Sequence, residues 1–206
     1  MELKVAILRA DDVRPELADT YGEYPEMFEV LLSEANKQRP LKDQVVLKAM
    51  AYRTNQGVFP ANIDEYDAYI ITGSKSGVYE DLPWVDLLAD FVKVLHQHKK
   101  PLIGICFGHQ LLGILHGAQV SLCKEDRNWQ DINIEQSSTL FNYIRKPYKM
   151  IEDHTEEVTL PKDFKLLATS KVCKNEAMQH KIKPLFGVQF HPEVSERGGL
   201  QLLKNF

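Results

Sequence analysis

The chain has 206 residues, of which 44% are hydrophobic and 26% charged. That composition excludes a disordered chain, and the length predicts one domain over residues 1–206 with a core that needs no disulfide or metal staple. Lys and Arg total 25 against 29 Asp and Glu, a net charge of −4, which argues against nucleic acid as the main partner.

Residues 5–8, Val-Ala-Ile-Leu, predict a short buried strand. Residues 11–25 are polar and predict a loop. Over residues 26–36, Met27, Val30, Leu31 and Ala35 fall at helical spacing. Residues 45–50 predict a second strand, and residues 68–72 a third that Gly73 closes. Over residues 87–98, Leu87, Leu88, Phe91, Val92 and Leu95 predict another helix. A fourth strand at 101–105 is followed by a helix at 110–116. Strands alternating with helices in this way predict a parallel sheet covered on both faces. From Ile132 onward the pattern changes to short strands at 132–134, 149–151, 157–159, 166–168 and 185–190, with few helices between them. The expected fold class is α/β with a β-rich C-terminal half.

No N-terminal apolar run is long enough for a signal peptide. The longest apolar stretch, 102–118, is broken by His109, Gln110 and His116, so no membrane span is expected. Cys106, Cys123 and Cys173 are odd in number and lack C-x-x-C spacing. They predict free thiols in a reducing, cytoplasmic setting rather than a disulfide framework or a zinc site.

One of these thiols has a distinctive frame. In Gly104-Ile105-Cys106-Phe107-Gly108-His109-Gln110 an apolar strand enters, an apolar helix leaves, and glycines flank the cysteine two residues away on each side. This is the cysteine counterpart of the G-x-S-x-G nucleophile elbow. The helix N-terminus would point its amides and positive dipole end at the sulfur, favouring thiolate, with the Phe107 amide placed to donate to an oxyanion. Cys123 and Cys173 lack such a frame and are expected to be structural.

A thiol nucleophile needs a base. Of seven histidines, His191 has the telling context, Gly187-Val188-Gln189-Phe190-His191-Pro192-Glu193. A strand ends there and Pro192 stops its ladder. Residues two apart in extended chain share a side, so Glu193 can hold the His191 tautomer in a Cys-His-Glu triad. The other histidines are weaker candidates. His96 and His98 lie near a helix end without a carboxylate or cysteine at ligand spacing, so no metal is expected. His109 and His116, seven apart, can share a helical face, and packing is the expectation for His109. His154 either borders the substrate site or satisfies a loop. Trp84 and Trp129 are expected to be packing anchors. No phosphate-binding P-loop is present, and no cofactor is expected.

The two motifs around Cys106 and His191 together resemble the class I (triad) glutamine amidotransferase family. Ile70-Ile71-Thr72-Gly73-Ser74 is similar to the family's glycine-rich oxyanion loop, with Ser74-Lys75 where the family usually has Gly-Pro. His154-Thr155-Glu156-Glu157-Val158 is similar to its His-x-x-x-Val segment. The stretch from Gln179 to Phe190 resembles the glutaminase part of GMP synthases, and the N-terminal part resembles stand-alone members, some of which are γ-glutamyl peptidases.

The resemblance implies a flavodoxin-like, mostly parallel open sheet and a glutaminase domain without a fused synthase. It implies Cys106 as nucleophile, His191 as base and acid, Glu193 as the residue orienting it, and the Ser74 and Phe107 amides as the oxyanion hole. Gly73 and Gln110 would help hold the substrate, which is glutamine or a γ-glutamyl compound. Three readings follow: a glutaminase subunit serving a separate synthase, a self-sufficient γ-glutamyl hydrolase, or a non-enzymatic binding protein on the same fold. The oligomeric state is left open.

Overall fold

The fold is described from a computed structural model, which covers residues 2–38, 42, 44–144 and 146–206. Its elements in chain order are β1 (Glu2–Arg9), α1 (Pro15–Tyr21), α2 (Tyr24–Lys37), β2 (Val46–Arg53), β3 (Ala68–Ile71), α3 (Pro83–Gln97), β4 (Leu102–Ile105), α4 (Phe107–Leu115), β5 (Val120–Asp126), β6 (Trp129–Asp131), β7 (Asn133–Ile134), β8 (Lys149–Ile151), β9 (His154–Val158), β10 (Phe164–Thr169), β11 (Ala177–His180), β12 (Leu185–Val188) and α5 (Glu196–Asn205).

Eight strands form the main sheet in the order β2-β1-β3-β4-β12-β11-β10-β7. From β2 to β12 all pairs are parallel, and from β12 to β7 all are antiparallel. The parallel part has the doubly wound order that reverses beside β1, where crevices form at the carboxyl ends of strands. The chain carries its own reason for this arrangement. In β1, Val5 and Ile7 face one apolar cluster and Ala6 and Leu8 the other. The first cluster is closed by Phe28 and Leu32 of α2 and Leu202 of α5. The second is closed by Leu88, Val92 and Leu95 of α3 and Leu111 and Leu112 of α4. A strand buried on both faces reads as a continuous apolar run, which is how residues 5–8 read. No helix among the described residues is long and apolar enough to cross a membrane.

The structure corrects several expectations. Residues 11–25 are not a continuous loop, because α1 occupies part of them and α2 begins at Tyr24. Both helices carry a proline in their first turn, where the missing N–H costs nothing, so polarity and proline concealed two helix starts. The strands β5, β6 and β11 and the terminal helix α5 were not anticipated. β5 and β6 each pair with one partner in two-stranded sheets and stay partly exposed, so their residues lack a buried strand's apolar run. Helices α3 and α4 begin earlier than their apolar spacing predicts, at Pro83 and Phe107.

The contact between β4 and α4 is unusually close. A Cβ at Gly104 would lie 2.3 Å from the Gly108 carbonyl oxygen, and one at Gly108 would lie 2.8 Å from Ile71 Cβ. The main chain itself occupies the space. Gly104→Ala is therefore expected to cost about 3 kcal/mol, lowering the melting temperature by about 6–12 °C in a thermal melt.

Candidate active site

Cys106 stands between β4 and α4 with φ 48° and ψ −100°. This is a region that non-glycine residues rarely enter, and strain of this kind concentrates at functional turns. The turn is held from both sides. The Cys106 amide donates to the Val188 carbonyl at 2.8 Å, and the Gln110 amide donates to the Cys106 carbonyl at 3.0 Å. Phe107, at the first position of α4, has an amide without an intrahelical acceptor.

His191 follows β12, the neighbour of β4. Its amide donates to the Ile151 carbonyl at 2.9 Å, and its carbonyl accepts from Ser195 Oγ at 2.6 Å. Its Nδ1 lies 2.6 Å from Glu193 Oε1, and its side chain faces Cys106 within hydrogen-bonding reach. Burial alone would strip the proton from His191. The Glu193 charge and the contacts with Cys106 outweigh it and hold the imidazolium well above the usual histidine range. His191 is therefore placed to hold a proton between Cys106 Sγ and the buried Glu193 carboxylate.

Gly73 lies at the same point. A Cβ there would sit 2.9 Å from His191 Cε1, 3.3 Å from the Tyr24 hydroxyl and 3.7 Å from Cys106 Cβ. Ser74 follows, on a loop that Asp11 fixes by accepting the Lys75 amide at 3.0 Å. A small recess of about 70 Å³ is lined in part by Ser74, Cys106, Phe107 and Gln110. Gln110 is buried, and its Nε2 donates to Gln189 Oε1 at 3.2 Å and to the Glu156 carbonyl at 3.3 Å. Cys106, His191, Glu193, Gly73, Ser74, Phe107 and Gln110 thus come together at the carboxyl ends of β3, β4 and β12.

A cavity of about 360 Å³ opens over Cys106 and His191. Much of its wall was not anticipated from the sequence. Asp11, Asp12, Val13 and Arg14 come from the segment after β1, Tyr21 from α1, and Tyr24 and Met27 from α2. Arg127, Glu152 and Asp153 close the other side. Asp153 pairs with Arg127 at 3.2 Å and with Arg14 at 3.6 Å, bridging the two walls. The Tyr24 phenol is raised well above its ordinary range by burial and by Glu193, Cys106, Asp11 and Asp153, so it stays neutral. The signal for this wall was the crevice that a doubly wound sheet leaves beside β1. A larger cavity of about 790 Å³, lined by Trp129, Tyr143, Lys149 and Arg197 among others, contains neither Cys106 nor His191.

The remaining candidates sort themselves by environment. His109 is fully buried, and burial lowers it to about 3, so it packs as a neutral ring. Trp84 packs on Phe107 with ring centroids 5.4 Å apart. Trp129 is 45% exposed and lines the larger cavity, so it is not a packing anchor. His154 is buried and lines the small recess. Cys173 is buried, and burial pushes its thiol up; burial raises Cys123 to about 11. Away from Cys106, His116, Asp163 and His180 converge closely enough to share an ion, a cluster that His96 and His98 did not foretell. His180 Nδ1 accepts the amides of Ile182 and Lys183 at 3.0 Å each, which puts the ring proton on Nε2, facing Asp163.

An elbow cysteine facing a carboxylate-held histidine, on a doubly wound α/β sheet, is the arrangement that thiol-based acyl transfer requires. The chain belongs to the glutamine amidotransferase class-I family, whose model matches residues 38–206. It is 32% identical over 163 residues to a glutamine-hydrolyzing GMP synthase subunit of Sulfolobus acidocaldarius, covering 78% of this chain and 84% of that one. A glutamine amidotransferase-like protein of Schizosaccharomyces pombe is 29% identical over 205 residues, 95% of this chain and 81% of that one. The crystal structure of a glutamine amidotransferase from Thermotoga maritima shares the fold, with a TM-score of 0.77 at 19% identity over 98% of this chain and 81% of that one.

Proposed function

We propose that the chain, as one glutaminase domain, hydrolyses the side-chain amide of glutamine through a γ-glutamyl thioester on Cys106. The observation that carries this reading is the strained elbow cysteine lining one cavity with His191, which is itself held by Glu193 at 2.6 Å. Cys106 Sγ attacks the carboxamide carbon as its proton passes to His191, and the oxyanion is stabilised by the amides of Phe107 and Ser74. The proton held on His191 passes to the departing nitrogen, which leaves as ammonia. Water, deprotonated by His191, then attacks the thioester, and glutamate leaves with the thiolate restored. Gly73 keeps the approach to both reacting side chains open, and Gln110 braces the recess. The relatives named as glutamine-hydrolyzing GMP synthase subunits favour delivery of the ammonia to a separate synthase.

A second reading is a self-sufficient hydrolase of γ-glutamyl amides or peptides. One observation favours it. The outer cavity wall, Asp11 to Met27, precedes the residues that the family model matches, and it adds charged and aromatic side chains around the thiol. Acid quenching during turnover, followed by peptide mass mapping, is expected to find a γ-glutamyl adduct on Cys106. Glutamine and a panel of γ-glutamyl peptides, each with and without a partner synthase, separate the two readings. Absence of the adduct with every substrate overturns both.

A further inference from the structure

The cavity wall formed by residues 151–153 has a second group of titratable side chains behind it, which the reaction above does not use. Glu176, just before β11, is 0% exposed, Glu152 is 1% exposed, and His154 is also buried. Glu152 Oε2 lies 3.2 Å from His154 Nε2, and the Glu152 and Glu176 carboxyl groups lie within hydrogen-bonding reach of each other. His154 Nδ1 lies 2.9 Å from the Glu156 carbonyl, which only accepts, so Nδ1 carries a hydrogen.

Carboxylate oxygens also only accept. The contact between Glu152 and Glu176 therefore forms only when one of them keeps its proton. Two buried carboxylates cannot both ionise at this range without a large penalty. The groups facing Glu176 agree. Ser170, whose Oγ accepts the Val172 and Cys173 amides, has its hydroxyl hydrogen left to donate to Glu176. Cys173 is a buried neutral thiol, and His154 lies beyond Glu152. Burial, then the Glu152 charge, raises Glu176 to about 9.

The pair is tied to the reacting side chains. The Asp153 carbonyl lies 4.0 Å from Cys106 Sγ, and the Ile151 carbonyl accepts the His191 amide at 2.9 Å. On the other side, the Glu176 carbonyl accepts the Gln189 amide at 2.8 Å, two residues before His191. Glu152 is thus the buried anchor of the segment that touches both Cys106 and His191. We propose that Glu152 and Glu176 share one proton, and that this shared proton fixes residues 151–154 against Cys106 and His191. Glu176 is then a positioning residue for the reaction at Cys106. The proposal rests on Cys106 being the nucleophile.

The test compares the full-length wild type with Glu176→Gln and Glu176→Ala. Glutamine donates a hydrogen bond to Glu152 at every pH, as the protonated acid does. Glu176→Gln is expected to keep kcat for glutamine hydrolysis within about 3-fold of wild type, whereas Glu176→Ala loses about 10- to 100-fold in kcat with a smaller change in KM. The melting temperature supplies a readout independent of catalysis. A carboxyl raised in the folded state binds a proton that the unfolded chain has released. Its contribution to stability is complete below its unfolded value and is lost as pH rises toward about 9. Wild type is therefore expected to lose melting temperature relative to Glu176→Gln between about pH 5 and pH 9. A pH-independent difference between the two overturns the shared proton. Equal loss of kcat in the Gln and Ala variants overturns the positioning role. Should Cys106→Ala remain active, the reading of the nucleophile fails, while the melting comparison still decides the shared proton.

Discussion

Cys106→Ala is expected to reduce ammonia release from glutamine by on the order of 10⁴-fold or more, to background. Alanine keeps the Cβ that the elbow already accommodates at φ 48°, so the fold and its melting temperature should change little. What disappears is the sulfur proposed to form the thioester and the group that helps hold the proton on His191. Neither remaining thiol can take over. Cys173 is buried behind the pocket with its thiol pushed up, and Cys123 is raised to about 11. Serine at position 106 should be nearly as inactive, because an alcohol is far less ionised than a thiol beside the same imidazole. A coupled glutamate assay measures the loss, with Cys123→Ser as the control that should stay within about 3-fold of wild type. Unchanged ammonia release from Cys106→Ala overturns the assignment of the nucleophile.

The elbow was legible in the sequence because backbone geometry forces residue types there. Close approach of α4 to β4 at Gly104, and to Ile71 of β3 at Gly108, admits only hydrogen at both, so two glycines had to frame the cysteine. The His-Pro-Glu run was legible, but the expected reason was wrong: β12 ends at Val188, and Glu193 reaches His191 from a 3-10 turn over Pro192–Val194 rather than along extended chain. The parallel half of the sheet was readable from the runs 5–8, 68–72 and 101–105, buried on both faces. The wall over the thiol was not. Asp11, Arg14, Arg127 and Asp153 are ordinary charged residues in sequence, drawn from the segment after β1, the turn after β5 and the turn before β9, and they meet only in the folded chain. Glu152 and Glu176 are 24 positions apart, and neither position shows in sequence that its carboxyl group is removed from water. The C-terminal helix α5 was missed because Gly198 and Gly199 weaken its helical signal, although Leu202 and Leu203 pack into the core.

Glu193→Gln isolates what the carboxylate does for His191. The Nδ1–Oε1 separation of 2.6 Å belongs to a pair almost wholly removed from water. Burial opposes charge on the imidazole, and the anion beside it is what reverses the balance. Glutamine at this position keeps the size and removes the charge. It can also turn its amide N–H toward Nδ1, which would impose the wrong tautomer. We expect kcat to fall by about 10²- to 10⁴-fold with KM changed far less, because the loss is in the proton-transfer step and not in substrate binding. The sign of the pH effect follows from the same balance. His191 is raised in the folded state, so its stabilising protonation is complete below the unfolded histidine value and is lost as pH rises through the folded one. Without the Glu193 charge the folded value drops, and the alkaline limb of kcat/KM should move to lower pH. A pH–rate profile of the two proteins reads both effects. A Glu193→Gln variant with wild-type kcat and an unmoved alkaline limb would show that His191 holds its proton by contact with Cys106 alone, and the active unit would reduce to a cysteine–histidine pair.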